Sequence, residues 1–79
     1  MNKLKEMRLC KNMSQSKLAE ASSVKYRMIQ NYEQGENDLT KAKLETILRL
    51  CVALQCHLGE LFEDAELLEK IKEYEKIPR

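Results

Sequence analysis

Apolar residues recur along the chain at the three- and four-residue spacing of α-helices, in short segments separated by polar turns. Leu4 and Met7 open this pattern and predict a first helix over about residues 2–11. Asn12 follows at the position where a helix commonly stops, because asparagine tolerates the left-handed conformation better than most other residues. Met13 is expected to return to the core.

A second and a third helix follow in close succession. Ser14 is a suitable N-cap for a helix over about residues 15–22, and Gly35 ends another over about residues 25–34. The apolar positions of this pair are Leu18, Ala19, Val24, Ile29 and Tyr32. A short helix with a single small apolar face is not stable alone, so we expect the two to pack together on a common core.

The next segment predicts a long helix that starts at a Thr40 cap and runs to about Leu54. Its expected buried stripe is Leu44, Ile47, Leu48, Cys51 and Leu54. A short fifth helix that covers the core is predicted from Leu58, Leu61 and Phe62.

Residues 66–77 predict an additional amphipathic helix, which Pro78 ends. Leu67, Ile71 and Tyr74 fall at positions i, i+4 and i+7, Leu68 lies beside them, and charged residues fill the other positions. The pattern allows two interpretations: the helix packs back on its own domain, or it forms a dimer or partner surface. We therefore expect one domain over residues 1–63 and a C-terminal helix over residues 64–79.

Composition supports a single small all-α domain. The chain has 79 residues with two glycines and one proline, and 34% of its residues are charged. No apolar run approaches the roughly 20 residues of a membrane span. No signal-peptide segment is visible either, so we expect a cytoplasmic protein without a membrane partner.

The net charge of +1 is unevenly distributed. Residues 1–34 carry seven basic and three acidic residues, whereas residues 35–79 carry seven basic and ten acidic residues. The positive charge thus lies on the half of the chain that contains the second and third helices. This distribution favours contact with a polyanion, although solvated helix faces would look similar.

The sequence offers no chemistry for an enzyme or a metal site. Cys10, Cys51 and Cys56 form no C-x-x-C pair and are expected to be free thiols, Cys51 small and buried. His57 has no companion ligand at zinc spacing. We expect no cofactor, and no nucleophile or acid–base pair is assembled.

The outward face predicted for the third helix carries a basic and polar set of side chains. Its members are Lys25, Tyr26, Arg27, Gln30 and Asn31. A guanidinium group can bind guanine O6 and N7, and an amide can bind adenine N6 and N7. A short helix with these groups suits the major groove of DNA.

Several short motifs occur in a fixed order along residues 3–62. They are Leu4 with Met7-Arg8, Ser14-Gln15, Leu18-Ala19-Glu20, Ile29, Tyr32-Glu33-Gln34-Gly35, the segment from Leu44 to Leu54, and Leu58-Gly59-Glu60-Leu61-Phe62. In this order they resemble the helix-turn-helix proteins of the Cro/repressor type, also called the XRE family. The resemblance implies a compact five-helix, λ-repressor-like domain that binds double-stranded DNA, commonly as a dimer on a two-fold site.

The resemblance also implies roles for individual residues. Tyr26, Arg27 and Asn31 match the family's base-reading positions, and Gln30 lies nearby. Gln15, at the start of the second helix, matches a phosphate-contacting position. Arg8 and Glu33 match an ion pair that ties the first helix to the end of the third, as structural support.

Three departures from the family pattern change these expectations. Ser23 replaces the usual turn glycine, which costs on the order of 1 kcal/mol if its φ is positive. Lys25 replaces the Ser or Thr cap of the third helix, and its charge opposes the helix dipole, so we expect a phosphate contact there. The loop Glu36-Asn37-Asp38 is acidic where relatives carry basic residues, and Lys41 or Lys43 is expected to compensate.

Two functions fit the sequence. The first is a DNA-binding transcriptional regulator that acts as a homodimer. The alternative is an antitoxin-like module that binds a partner protein through its C-terminal helix and regulates its own operon. The alternative draws on residues 60–79, which carry seven acidic and four basic residues.

Overall fold

The computed structural model describes residues 2–78, which form five α-helices and two 3-10 turns without a β-sheet. The helices are α1 (Leu4–Cys10), α2 (Gln15–Ser22), α3 (Tyr26–Gln34), α4 (Leu44–Leu54) and α5 (Ala65–Glu75). The 3-10 turns are Leu39–Lys41 and Leu58–Leu61. The all-α prediction is confirmed.

One core joins the first four helices. Its buried hydrophobic residues are Leu4, Leu18, Val24, Ile29, Tyr32, Leu39, Ile47, Leu50, Cys51, Leu54, Leu61 and Phe62. Asn2 forms a single antiparallel bridge with Phe62, and the Lys3 amide donates to the Leu61 carbonyl at 2.8 Å. The chain before α1 is thereby attached to the segment that covers the core.

The beginning of α1 lies two residues later than predicted. The Asn2 side-chain oxygen accepts a hydrogen bond from the Leu4 amide at 2.9 Å, so Asn2 acts as a local cap instead of a helical residue. The predicted cap of α2 is confirmed, because the Ser14 hydroxyl accepts from the Lys17 amide at 3.0 Å.

Residues in the left-handed conformation follow each of the first four helices. They are Asn12, Ser23, Gly35 and Gln55. The sequence predicted the left-handed conformation at Asn12 and Gly35. For Ser23 it predicted an energetic cost if φ is positive, which is the case here. Gln55, with φ of 52°, carried no comparable signal.

The predicted Thr40 cap of α4 is wrong. Thr40 lies in a 3-10 turn, where its amide and hydroxyl donate to the Asp38 carboxylate at 3.0 and 2.7 Å. These bonds lower the pKa of Asp38. The fully buried Leu39 anchors this turn, and α4 begins only at Leu44.

The predicted buried stripe of α4 is partly wrong. Ile47, Cys51 and Leu54 are buried as expected, but Leu44 and Leu48 are exposed. Leu50 takes their place in the core. Apolar residues lie around most of α4, so helical spacing alone did not identify the side that faces the domain.

The predicted fifth helix is a 3-10 turn, after which Phe62 is extended. Leu61 and Phe62 are nonetheless buried and cover the core as expected. The additional amphipathic helix is α5, whose first turn is capped by Asp64 through the Glu66 and Leu67 amides.

The first part of α5 packs on its own domain. Leu67, Leu68 and Ile71 are half-buried against the core. Tyr74, which the sequence placed on the same stripe, is 71% exposed, and Ile77 beyond the helix is 66% exposed. Within residues 2–78 no helix is long and apolar enough to cross a membrane.

Candidate nucleic-acid interface

The side chain of Ser22 makes two hydrogen bonds within the turn between α2 and α3. The buried Ser22 hydroxyl donates to the Leu18 carbonyl at 2.6 Å and accepts from the Val24 amide at 3.2 Å. Ser23 takes the left-handed conformation with φ of 60°. Val24 is buried beneath the turn, so the relative orientation of the two helices is determined by the core.

One side of α3 is held by the domain. Ile29 and Tyr32 are buried, and the Asn2 side-chain amide donates to the Tyr32 carbonyl at 3.2 Å. Gly35 ends the helix with φ of 80°, a conformation that glycine adopts without strain. The opposite side of α3 is therefore presented to solvent in a defined orientation.

Tyr26, Arg27 and Gln30 lie together on that outward side. Tyr26 and Arg27 are exposed, and the Gln30 side-chain amide donates to the Tyr26 hydroxyl at 3.3 Å. Gln34 is also exposed and lies one turn beyond Gln30. The sequence prediction did not include Gln34, although its i+4 spacing from Gln30 is a signal for the same face.

Lys25 occupies the N-cap position of α3, and its side chain makes no capping bond, as expected. Its side chain is exposed, and its carbonyl accepts from the Met28 and Ile29 amides. The exposed charge of Lys25 adds to the positive end of the α3 dipole, and such a helix N-terminus favours an anion.

Asn31 follows Arg27 by four residues on the outward side of α3 and, like Gln30, is half-buried. Its carbonyl accepts from the Glu36 and Asn37 amides at 2.9 and 3.2 Å, where the chain turns after Gly35. Asn31 is therefore less accessible to a large ligand than Tyr26 or Arg27.

The geometry of the Arg8–Glu33 pair agrees with the supporting role expected from the sequence. Arg8 Nε and Nη2 donate to the two Glu33 carboxylate oxygens at 2.8 and 3.0 Å, and both side chains are buried. Arg8 Nη1 also donates to the Met13 carbonyl at 2.7 Å. The hydrogen bond that Arg8 donates to Glu33 raises the pKa of Arg8, and the bidentate pair connects α1 to the end of α3.

Gln15 belongs to the same network. Its side-chain nitrogen donates to Glu33 Oε1 at 3.1 Å. Glu33 lies near the end of α3, whereas Lys25 and Tyr26 lie at its beginning, about 11 to 12 Å away along a helix axis. Gln15 is therefore held at the end of α3 opposite to Lys25 and Tyr26.

The thiols lie outside this interface. Burial raises the pKa of Cys51 to about 12 and also raises the pKa of Cys56. No group of three or more histidine, cysteine, aspartate or glutamate residues in the described part of the chain is placed to hold a metal ion.

The sequence profile of the helix-turn-helix family matches residues 4–61. An uncharacterized HTH-type transcriptional regulator of Sinorhizobium fredii, y4aM, is 36% identical over 62 residues. This match spans 78% of the present chain and 41% of the relative, so the chain corresponds to less than half of that protein. Together with the α2–turn–α3 arrangement and the Arg8–Glu33 pair, the match shows that this chain belongs to the helix-turn-helix family, of the Cro/repressor (XRE) type.

Proposed function

We propose that the chain is a transcriptional regulator that binds double-stranded DNA by placing α3 in the major groove. Tyr26, Arg27 and Gln30 contact base edges in this proposal, and Asn31 contacts a base or the adjacent backbone. Gln15 and Lys25, which lie near opposite ends of α3, contact phosphates. The protein acts without catalysis and without a cofactor.

The observation that carries the proposal is the division of α3 into two sides. Buried Ile29 and Tyr32 and the Arg8–Glu33 pair hold the helix against the domain. Exposed Tyr26 and Arg27 project from the other side. A reading helix needs both properties, because base edges are recognised only by side chains whose helix is held in one orientation.

We further propose that two copies bind a two-fold operator. Helix-turn-helix dimers place their reading helices about one turn of DNA apart, roughly 34 Å. Two copies also double the number of phosphate contacts, which compensates for the acidic loop at Glu36 and Asp38.

Selection of bound duplexes from a random DNA pool tests both statements. We expect an enriched motif with two inverted half-sites whose centres are about 10 base pairs apart. Enrichment of a single half-site would contradict the dimer. A pool that stays random after repeated rounds, with correctly folded protein, would contradict sequence-specific binding.

The antitoxin-like alternative depends on a C-terminal stripe that is available to a partner. Three members of this stripe, Leu67, Leu68 and Ile71, pack on the domain itself. Tyr74 and Ile77 extend into solvent. This packing favours the DNA-binding proposal over the partner-binding one.

A further inference from the structure

The side of α4 that faces away from the core carries an exposed apolar row. Leu44, Leu48 and Val52 are 64%, 46% and 76% exposed, and we call them the α4 stripe. Beside Ala21 and Ser22 of α2, the stripe forms one wall of a shallow groove. Scattered exposed apolar residues are ordinary, but three large ones at successive i+4 positions indicate an interaction surface.

The composition of α4 supports this interpretation. Eight of its eleven residues are apolar, and the polar ones are Glu45, Thr46 and Arg49. The domain covers the side that carries Ile47, Leu50, Cys51 and Leu54. A helix with apolar residues around most of its circumference is typically covered on more than one side. The sequence of α4 therefore indicates that a further surface packs on the exposed α4 stripe.

The charges beside the stripe favour a second copy of this chain as its cover. Glu45 and Arg49 are both exposed and lie on the same flank of α4, where Glu45 Oε2 and Arg49 Nη2 are 3.6 Å apart. When two identical helices pack antiparallel about a two-fold axis, each flank faces the same flank of the other copy. Glu45 of each copy then lies near Arg49 of the other, and two equivalent ion pairs form.

A parallel arrangement does not produce these pairs. It places the flank that carries Glu45 and Arg49 against the opposite flank of the second helix, which includes the buried Ile47 and Cys51. The charge pattern is therefore self-complementary only in the antiparallel orientation.

We propose that the α4 stripe is the homodimer interface of this protein, with two α4 helices packed antiparallel. Leu48 lies next to the two-fold axis and contacts Leu48 of the second copy. Leu44 of each copy contacts Val52 of the other. This proposal locates the interface of the dimer in the proposed function, and it rests on that function for the role of the dimer on DNA. The interface itself can be tested without DNA.

Sedimentation of the full chain over a range of concentrations tests the interface. Leu48→Glu places two carboxylates opposite each other across the axis, and we expect the dimer dissociation constant to rise at least about tenfold. Ile77→Glu is the matched control, since Ile77 is also an exposed apolar residue but lies beyond α5. The dimer dissociation constant of this variant should equal that of the wild type. Circular dichroism checks that both variants keep their helices.

Charge exchange tests the orientation. Glu45→Arg and Arg49→Glu alone should each weaken the dimer, because like charges then face each other between copies. The double variant restores both pairs and should return the dissociation constant to near the original value. A double variant as weak as the single ones would overturn the antiparallel arrangement.

Two results would overturn the interface itself. One is a wild-type chain that remains monomeric at high concentration. The other is a dimer that survives Leu48→Glu; if that dimer dissociates in Ile77→Glu, the contact belongs to the C-terminal segment.

A parallel measurement of DNA binding separates this proposal from the proposed function. The Leu48→Glu monomer should keep its affinity for an isolated half-site and lose affinity for the two-fold site. A wild-type dimer that depends on Leu48 but selects no DNA sequence would leave the interface in place and remove the DNA-binding proposal. Sequence-specific binding by a dimer that is insensitive to Leu48→Glu would leave the DNA-binding proposal in place and remove the α4 interface.

Discussion

At the residue scale, the side chains of α3 divide into those that hold the helix and those that project into solvent. Ile29 and Tyr32 are buried, and Glu33 is bonded to both Arg8 and Gln15. Arg27 is exposed near the opposite end. A substitution in the first group should change folding stability, and one in the second group should change recognition.

We expect Arg27→Ala to relax the preference at one base pair of each half-site by roughly 1–3 kcal/mol, because alanine cannot form the bidentate hydrogen bonds to guanine. Arg27→Lys is the matched variant, since it keeps the charge but not the planar pair of donors. Repeating the DNA selection with both variants measures the effect. An unchanged consensus would remove Arg27 from the base-reading set.

Lys25→Ala should weaken binding to all sequences alike, because Lys25 is expected to contact a phosphate instead of a base. The slope of log affinity against log salt should decrease by about 0.9 for each phosphate that the variant no longer neutralises. Lys72→Ala, which removes an exposed charge from α5, is the control and should leave the slope unchanged. Equal slopes for the Lys25 variant and the wild type would contradict the phosphate contact.

Glu33→Gln should lower the free energy of unfolding by about 3–5 kcal/mol, because it leaves the buried Arg8 guanidinium without a counter-charge. The double change Arg8→Met with Glu33→Leu should cost less than either single change, since no charge is then left unpaired. Urea denaturation measures both. Glu20→Gln, at an exposed position on α2, should change stability by less than about 0.5 kcal/mol.

At the element scale, the ends of the helices show which helix boundaries are determined by residues close in sequence. Ser14 caps α2 with its hydroxyl, and Gly35 ends α3 in the left-handed conformation. Both signals act within one turn of the chain, which is why they are visible in the sequence. Gln55 ends α4 in the same conformation with a residue type that does not favour it.

Gln55→Gly should therefore raise the free energy of unfolding by about 0.5–1 kcal/mol, since glycine adopts a positive φ without the penalty of a Cβ. The gain is smaller than the penalty because glycine also increases the entropy of the unfolded chain. Lys70→Gly, within α5, is the control and should lower stability by about 1 kcal/mol. Thermal unfolding of the two variants should shift in opposite directions; equal shifts would contradict the strain at Gln55.

At the scale of the whole molecule, one core joins α1 to α4 and α5 packs on its surface. The half-buried residues of α5 contact the domain, while Tyr74 and Ile77 do not lie in the core. The α4 stripe lies on a separate surface. Folding and the proposed association are therefore expected to depend on different parts of the chain.

Truncation after Asp64 should lower the free energy of unfolding by a few kcal/mol, because Leu67, Leu68 and Ile71 no longer cover the core. The shortened chain should still dimerise through α4. Thermal unfolding and sedimentation of the two lengths measure these effects separately. A shortened chain that is equally stable but monomeric would instead identify α5 as the dimer surface.

The sequence determined by itself those features that depend on neighbouring residues or on a family pattern. The all-α class, the bounds of α2 and the end of α3 followed from helical spacing and cap residues, whereas the Arg8–Glu33 pair followed from the family resemblance. The candidate reading positions, including Arg27, also followed from the sequence, and their contact with DNA remains a prediction.

Only the tertiary structure decided which side of α4 faces the core, that Leu39 anchors a 3-10 turn before it, and that Gln15 donates to Glu33. Periodicity selects a buried face only when the remaining positions are polar, and α4 is apolar around most of its circumference. Its orientation is chosen by how its side chains fit those of the other helices, which is a property of the packed core and not of any single segment.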